Sequence, residues 1–442
     1  MRIKLSDHFT YRKLLRFTFS SIMMMIFMSI YGVVDGFFVT NFVGKTSFAA
    51  INLTYPVIDF LAVFGFMIGM GGSALIAKTL GEQKHKKANR LFSLFVYLSV
   101  ALGVVMAVMG IVFLPAISSM LGARGAMLND SVTYGRILLL ALPALILQFE
   151  FQIFFVTAEK PKLGLVVTVL AGVTNMVLDA LFIAVFRWGI SGAAAATALS
   201  QFVGGILPLF YFSRENTSLL RLTKTSFDGK AVLRACTNGS SEFMSTISRS
   251  LVSMLFNVQL LRYAGENGVA AYGVLMYVNM VFSGVFWGYS SGSAPIIGYH
   301  YGAKNHSELK SLLKKSLIIV GTASVGMLIF SEVLAYPFSM IFVGYDRQLL
   351  AMTVHAFRIF SLSYLFASVA VFGSSFFTAL NNGLVSAIIA FLRTLVFQLG
   401  AILILPKIWG IDGIWFSVVF GELMAAVVAV VFLVAKRSSY HY

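Results

Sequence analysis

Apolar runs long enough to cross a bilayer recur from one end of this chain to the other, separated by short basic clusters. A run of about 18 or more apolar residues spans the hydrocarbon core as a helix, because every backbone N–H and C=O must be paired within the segment. The runs are continuous and do not alternate with period two, which argues against a membrane β-barrel. Twelve spans are expected, at approximately 14–40, 48–79, 91–116, 133–157, 163–186 and 190–212, then 231–262, 269–299, 314–334, 351–379, 383–405 and 410–435. Composition agrees. The 442 residues are 59% hydrophobic and 11% charged, with a mean hydropathy of +0.88, whereas a soluble domain carries about a quarter charged residues. The expected fold class is an all-α polytopic membrane protein.

The net charge of +16 is read as membrane orientation rather than nucleic-acid binding. Arg2, Lys4, Arg12, Lys13 and Arg16 precede the first span. Lys84, Lys86, Lys87 and Arg90 follow the second, and Lys160 and Lys162 the fourth. Arg214, Arg221, Lys224 and Lys230 fill the central connection, Lys304, Lys310, Lys314 and Lys315 follow the eighth span, and Lys436 and Arg437 end the chain. If the spans alternate, all of these lie on one side, and only isolated charges such as Lys45, Arg124, Arg347 and Lys407 lie on the other. The positive-inside rule then makes both termini cytoplasmic and the number of spans even. No A-x-A-like cleavage site follows the first apolar run, which reads as a retained helix. One cysteine, Cys236, excludes a disulfide framework or a cysteine metal cluster within the chain.

The chain also repeats itself. Gly44 aligns with Gly265, Gly71 with Gly292, Gly81 with Gly302, Thr157-Ala158 with Thr378-Ala379, and Trp188-Gly189-Ile190 with Trp409-Gly410-Ile411. The offset is constant, 265 − 44 = 409 − 188 = 221, half the length of the chain. Two halves, 1–221 and 222–442, each of six spans, enter from the same side. They should therefore form two six-helix bundles related by a pseudo-two-fold axis along the membrane normal.

Charges inside spans are costly and point to function. Asp35 lies on the first span and Asp179 on the fifth, with Asn175 one turn before it on the same helix face. Thr197 follows on the sixth, within the small-residue run Gly192 to Ala198. Two carboxylates, an amide oxygen and a hydroxyl suit Na⁺, a carboxylate pair sharing a proton, or a static polar contact holding the three helices together. Glu150, with Gln148 and Gln152 among phenylalanines on the fourth span, is a candidate contact for a lipophilic cation, or else a partner of Arg136. Glu242, near the start of the seventh span, is read as an interfacial residue, with a second proton site as the alternative. The second half lacks the acidic cluster, because Phe256 stands opposite Asp35 and Gly400 opposite Asp179. It carries Arg249, Arg358 and Arg393 instead, which are read as partners of Glu422 or Glu242, with an anionic substrate group as the alternative. No HExxH, P-loop or nucleophile elbow is present, so no enzyme activity is expected.

Val34-Asp35-Gly36-Phe37-Phe38-Val39 ending at Gly44, Gly69-Met70-Gly71-Gly72-Ser73-Ala74 running to Gly81-Glu82, and Asn175-Met176-Val177-Leu178-Asp179 followed by Gly192 to Thr197 together resemble the multidrug and toxic compound extrusion (MATE) family, of bacterial type. The resemblance covers nearly the whole chain. It implies a V of two bundles in the inner membrane that exchanges Na⁺ or H⁺ for organic, cationic compounds, without a cofactor and as a monomer. In archaeal and DinF-like members a cation site uses residues matching Asp35, Asn175, Asp179 and Thr197. The chain departs from other members in three places. No proline lies between Arg16 and Thr40, Arg358 stands on the tenth span where another branch has an acid, and Ala180 follows Asp179 in place of proline. The competing readings are a flippase-like exporter of lipid-linked saccharide and a non-transporting scaffold, for which the acidic cluster would be dispensable.

Overall fold

The computed structural model describes residues 3–442, with Thr40 and Lys45 described by backbone alone. Arg2 and the Lys45 side chain therefore lie outside the described residues. Among those residues the secondary structure is helical. In the first half run α1 (Tyr11–Phe42), α2 (Lys45–Gly81), α3 (His85–Met120), α4 (Gly125–Leu140), α5 (Leu142–Thr157), α6 (Pro161–Asp179) and α7 (Gly189–Ser213). Then come α8 (Gly229–Gly302), α9 (His306–Val343), α10 (Arg347–Ser361), α11 (Tyr364–Ala379), α12 (Gly383–Phe391), α13 (Gln398–Trp409), α14 (Ile411–Ala435) and the short α15 (Arg437–Tyr440).

The expected twelve spans are recovered once three irregularities are understood. α8 is broken at Gly265, whose φ of 63° is open to glycine at little cost. The pair α4 and α5 is one span bent by 55°, and α10 with α11 is one bent by 46°. The fifth and eleventh spans each contain a π-helical stretch, Ala180–Val185 after α6 and Leu392–Phe397 between α12 and α13. The fourth span starts at Gly125 rather than near 133, because α4 continues past the apolar run as a polar helix carrying Asn129 and Asp130. Short polar caps set the helix starts: Asp228 Oδ1 accepts from the N–H groups of Lys230 and Ala231, both at 3.1 Å.

The two bundles share one end and separate at the other. One apolar core uses residues from both halves, from Leu5 to Tyr442. Two further cores are built from one half each, residues 39–198 and residues 252–418. Contacts between the bundles carry the symmetry foreseen in the repeat. A Cβ on Gly81 would collide with the Tyr299 carbonyl, and one on Gly302 with the Lys78 carbonyl, which is the same contact viewed from the other half. Likewise Gly71 meets Ala235 and Gly239 of α8, and Gly292 meets Thr18 and Ser21 of α1. Moving away from the termini, these contacts continue to Phe60 and Phe64, whose rings lie 5.8 and 5.5 Å from that of Phe243. Along α1 they continue to Ser29, whose hydroxyl donates to the Met280 carbonyl at 3.2 Å. Beyond these points each bundle packs on its own core, leaving a cleft that opens away from the termini.

Asparagines and the segment before α1 fasten the closed end. Asn238 Nδ2 donates to Asn381 Oδ1 at 2.8 Å, and Asn381 Nδ2 to the Ala74 carbonyl at 3.1 Å. The Leu5 N–H donates to Glu159 Oε1 at 2.7 Å and the Phe9 N–H to Glu308 Oε1 at 2.8 Å, with both side chains wholly buried. This strap ties the end of α5 to the start of α9. Because the Phe9 bond is to a charged acceptor, Glu308→Gln is expected to weaken the strap by about 1 kcal/mol. Faster hydrogen exchange at the Phe9 amide would report it.

Candidate functional site

Close packing of α1 on α6 builds the site. A Cβ on Gly172 would collide with the Phe27 ring and lie 3.1 Å from Tyr31 Cδ1, so only glycine lets these helices approach this closely. Asp35, one turn past Tyr31 on α1, and Asp179, two turns past Gly172 on α6, bring their carboxyl groups together. Asp179 and Asn175 are 0% and 1% exposed. α7 packs on the same face of α6, and Asn175 Nδ2 donates to Thr197 Oγ1 at 3.5 Å. All four residues singled out in the sequence therefore meet in one place. Asp179 is the last residue of α6 before the π-helical stretch, and such stretches within α-helices concentrate at functional sites.

The chemistry of the cluster is distinctive. Asp35 Oδ1, Asn175 Oδ1 and both Asp179 oxygens are buried without a hydrogen-bond donor among the described residues. No ion pair joins a Lys, Arg or His to either aspartate among the described residues. Two carboxyl groups in contact in a low-dielectric interior cannot both stay charged unless a cation lies between them, and otherwise they share a proton. A static glue would instead satisfy its polar atoms, so these orphaned oxygens fit a site for a small cation or a proton.

Three tyrosines escaped the sequence reading. Tyr31 lies one turn before Asp35 on α1. Tyr134, 2% exposed on α4, is in electrostatic contact with Asp35 and Asp179, and Tyr55 on α2 with Tyr31, Asp35 and Asp59. Tyr31 was legible from its spacing to Asp35. Tyr134 and Tyr55 were not, because only the fold brings α4 and α2 over α1.

Glu150, Gln148 and Gln152 are elsewhere. They are 0%, 4% and 4% exposed, inside the first bundle and closed off from the cleft. Gln148 and Gln152 line a small cavity between α5, α6 and α7, with room for about one water molecule. Arg136 points outward from α4 and does not reach Glu150. Glu242 sits half-buried next to Phe243 at the floor of the cleft, in electrostatic contact with Arg249 and Arg393. Asp59, overlooked in the sequence, faces Arg249 from α2.

In the second half the equivalent of the acidic cluster is apolar. Phe256, 1% exposed, stacks on Tyr272 with centroids 5.3 Å apart. Its buried charge is neutralised: Arg393 holds Glu422 through two hydrogen bonds of 2.8 and 2.9 Å, and Gln398 Nε2 adds a third at 3.4 Å. Arg358 stands 4.0 Å from Glu332. Glu422→Gln would strand the Arg393 guanidinium and is expected to cost about 3–5 kcal/mol. Thermal unfolding in detergent would show it, and Arg393→Met combined with Glu422→Leu should cost less.

A model of the MatE family matches this chain over residues 20–181 and again over 243–402. The multidrug export protein MepA of Staphylococcus haemolyticus (strain JCSC1435) is 26% identical over 411 residues, 92% of this chain and 90% of the relative. MepA of Staphylococcus aureus (strain MRSA252) is 24% identical over the same shares. A crystal structure of MATE in complex with MaL6 superposes with a TM-score of 0.93 at 22% identity, covering 98% of each chain. A MOP superfamily transporter from Pyrococcus furiosus superposes with a TM-score of 0.91 at 22% identity, again over 98% of each chain. These structures share the fold of two six-helix bundles.

Proposed function

Because this chain belongs to the MatE family, the multidrug and toxic compound extrusion transporters, we propose that it is a secondary active exporter exchanging Na⁺ or H⁺ for organic cations. The observation that carries this reading is the Asp35, Asn175, Asp179 and Thr197 cluster, with four buried oxygens lacking a donor among the described residues. The lobes divide as 1–221 and 222–442, both termini are cytoplasmic, and the protein works as a monomer in the cytoplasmic membrane. In that orientation the cleft faces outward, and the basic loops support it.

Coupling follows from differential affinity. A cation or proton entering from outside neutralises the Asp35–Asp179 pair and draws α1 onto α6. That rearrangement weakens the hold of the cleft on a cationic compound while the cleft is open. Release of the ion inside resets the cluster. The exchange works only if ion and compound prefer different states.

The test is efflux of a fluorescent lipophilic cation from proteoliposomes, with a Na⁺ gradient and a pH gradient imposed separately. Movement driven by one gradient identifies the ion. No movement under either, with folded protein, would overturn the cationic reading in favour of a lipid-linked or anionic substrate.

A further inference from the structure

Glu150 lies one helix behind the contact between the bundles. Its side chain is wholly buried, and neither carboxyl oxygen has a hydrogen-bond donor among the described residues. The Ser99 hydroxyl beside it, on α3, is equally buried and faces the carboxyl group. α2 presents Gly69, where a Cβ would lie 3.2 Å from the Glu150 Cα. None of these facing groups is titratable, and no Lys, Arg or His pairs with Glu150 among the described residues. An ionised carboxylate here would bear a desolvation cost of several kcal/mol with no countercharge. Na⁺ needs a larger set of oxygens than one carboxyl and one hydroxyl, whereas a proton needs a single lone pair.

We propose that Glu150 is a second proton site of the first bundle, occluded in this state and exchanging its proton when the closed end opens. The packing of α2 links the two events. On one face, Gly65 and Gly69 sit against the α5 backbone at Ile146 and Glu150. On the other, Met67 and Gly71 sit against α8 at Gly239 and Ala235. Opening the closed end must draw α2 away from α8, and α2 forms the wall over Glu150. The carboxyl then meets water, loses its proton to solvent as the carboxylate, and regains one before the wall closes. The proton is conserved in each step, and no other reactant is needed.

This inference rests on the ion-coupled reading, and the experiment separates the two. Infrared spectra of the purified protein should contain the carbonyl stretch of a buried protonated carboxylic acid that Glu150→Gln removes and Ser99→Ala shifts. In lightly buffered detergent solution, binding of a lipophilic cation should change the number of protons bound, and Glu150→Gln should abolish part of that change while Asp35→Asn abolishes a different part. If Glu150→Gln leaves the proton count unchanged, whether or not the band is lost, Glu150 does not exchange its proton and this proposal fails alone. If the wild-type protein moves no compound under either ion gradient, the ion-coupled reading fails instead.

Discussion

Asp35→Asn is expected to cut gradient-driven efflux sharply, and Asp179→Asn to do the same. Asparagine keeps the shape of the side chain and removes the charge on which the proposed coupling depends. The loss should fall in the range of about 5- to 150-fold that coupling free energies of 1–3 kcal/mol imply. The two acids are in contact and act as one unit, so the double substitution should be no worse than either single one. Asn175→Ala should lose less, because Thr197 remains to face the pair. Rates in proteoliposomes for the wild type, both single variants and the double variant provide the measurement. Multiplying losses in the double variant would mean that the acids work at separate steps. Full efflux by Asp35→Asn would remove the cluster from the mechanism altogether.

Much of this was legible in the sequence because the bilayer leaves few options for a chain so apolar. The repeat at Gly44 and Gly265 foretold the two bundles, and Gly265 is also where α8 breaks with a positive φ. Asp35, Asn175, Asp179 and Thr197 were found because charge and amide are scarce in apolar spans, so each stood out against its neighbours. What the sequence hid depended on direction around a helix. Glu150 sits in a span full of aromatics and looked like a cleft residue, yet it faces α2 and α3 inside the bundle. Tyr134 and Tyr55 are ordinary aromatics in spans crowded with them. Asp59 and Glu242 gain meaning only when α2 and α8 are set opposite each other at the floor of the cleft. Span ends were uncertain for a related reason: α4 extends past the apolar run, and hydropathy ends where the membrane does.

Gly71→Val is expected to unseal the closed end. A Cβ at position 71 would collide with the Ala235 carbonyl and press on the Gly239 N–H, both backbone atoms that cannot step aside as a side chain can. Overpacking of this kind costs about 1–3 kcal/mol, and it falls only on the state in which α2 and α8 touch. Conformational states of a transporter differ by a few kcal/mol, so the penalty should shift the population away from the closed-end state. The chain carries its own reporter. Cys236, its single cysteine, is half-buried immediately after Ala235. Its rate of modification by a membrane-permeant maleimide should rise several-fold in Gly71→Val. Gly239→Ala, which strikes the Met67 carbonyl from the other helix, should raise it too. Gly273→Ala is the control, since a Cβ there meets nothing within 4 Å, and its labelling should match the wild type. Unchanged labelling in both interface variants, with monodisperse protein, would mean that the α2–α8 contact does not separate during the cycle. Parallel loss of efflux and gain of labelling would identify that contact as the gate at the closed end, in which the backbones of the two halves touch directly because glycine stands on both sides.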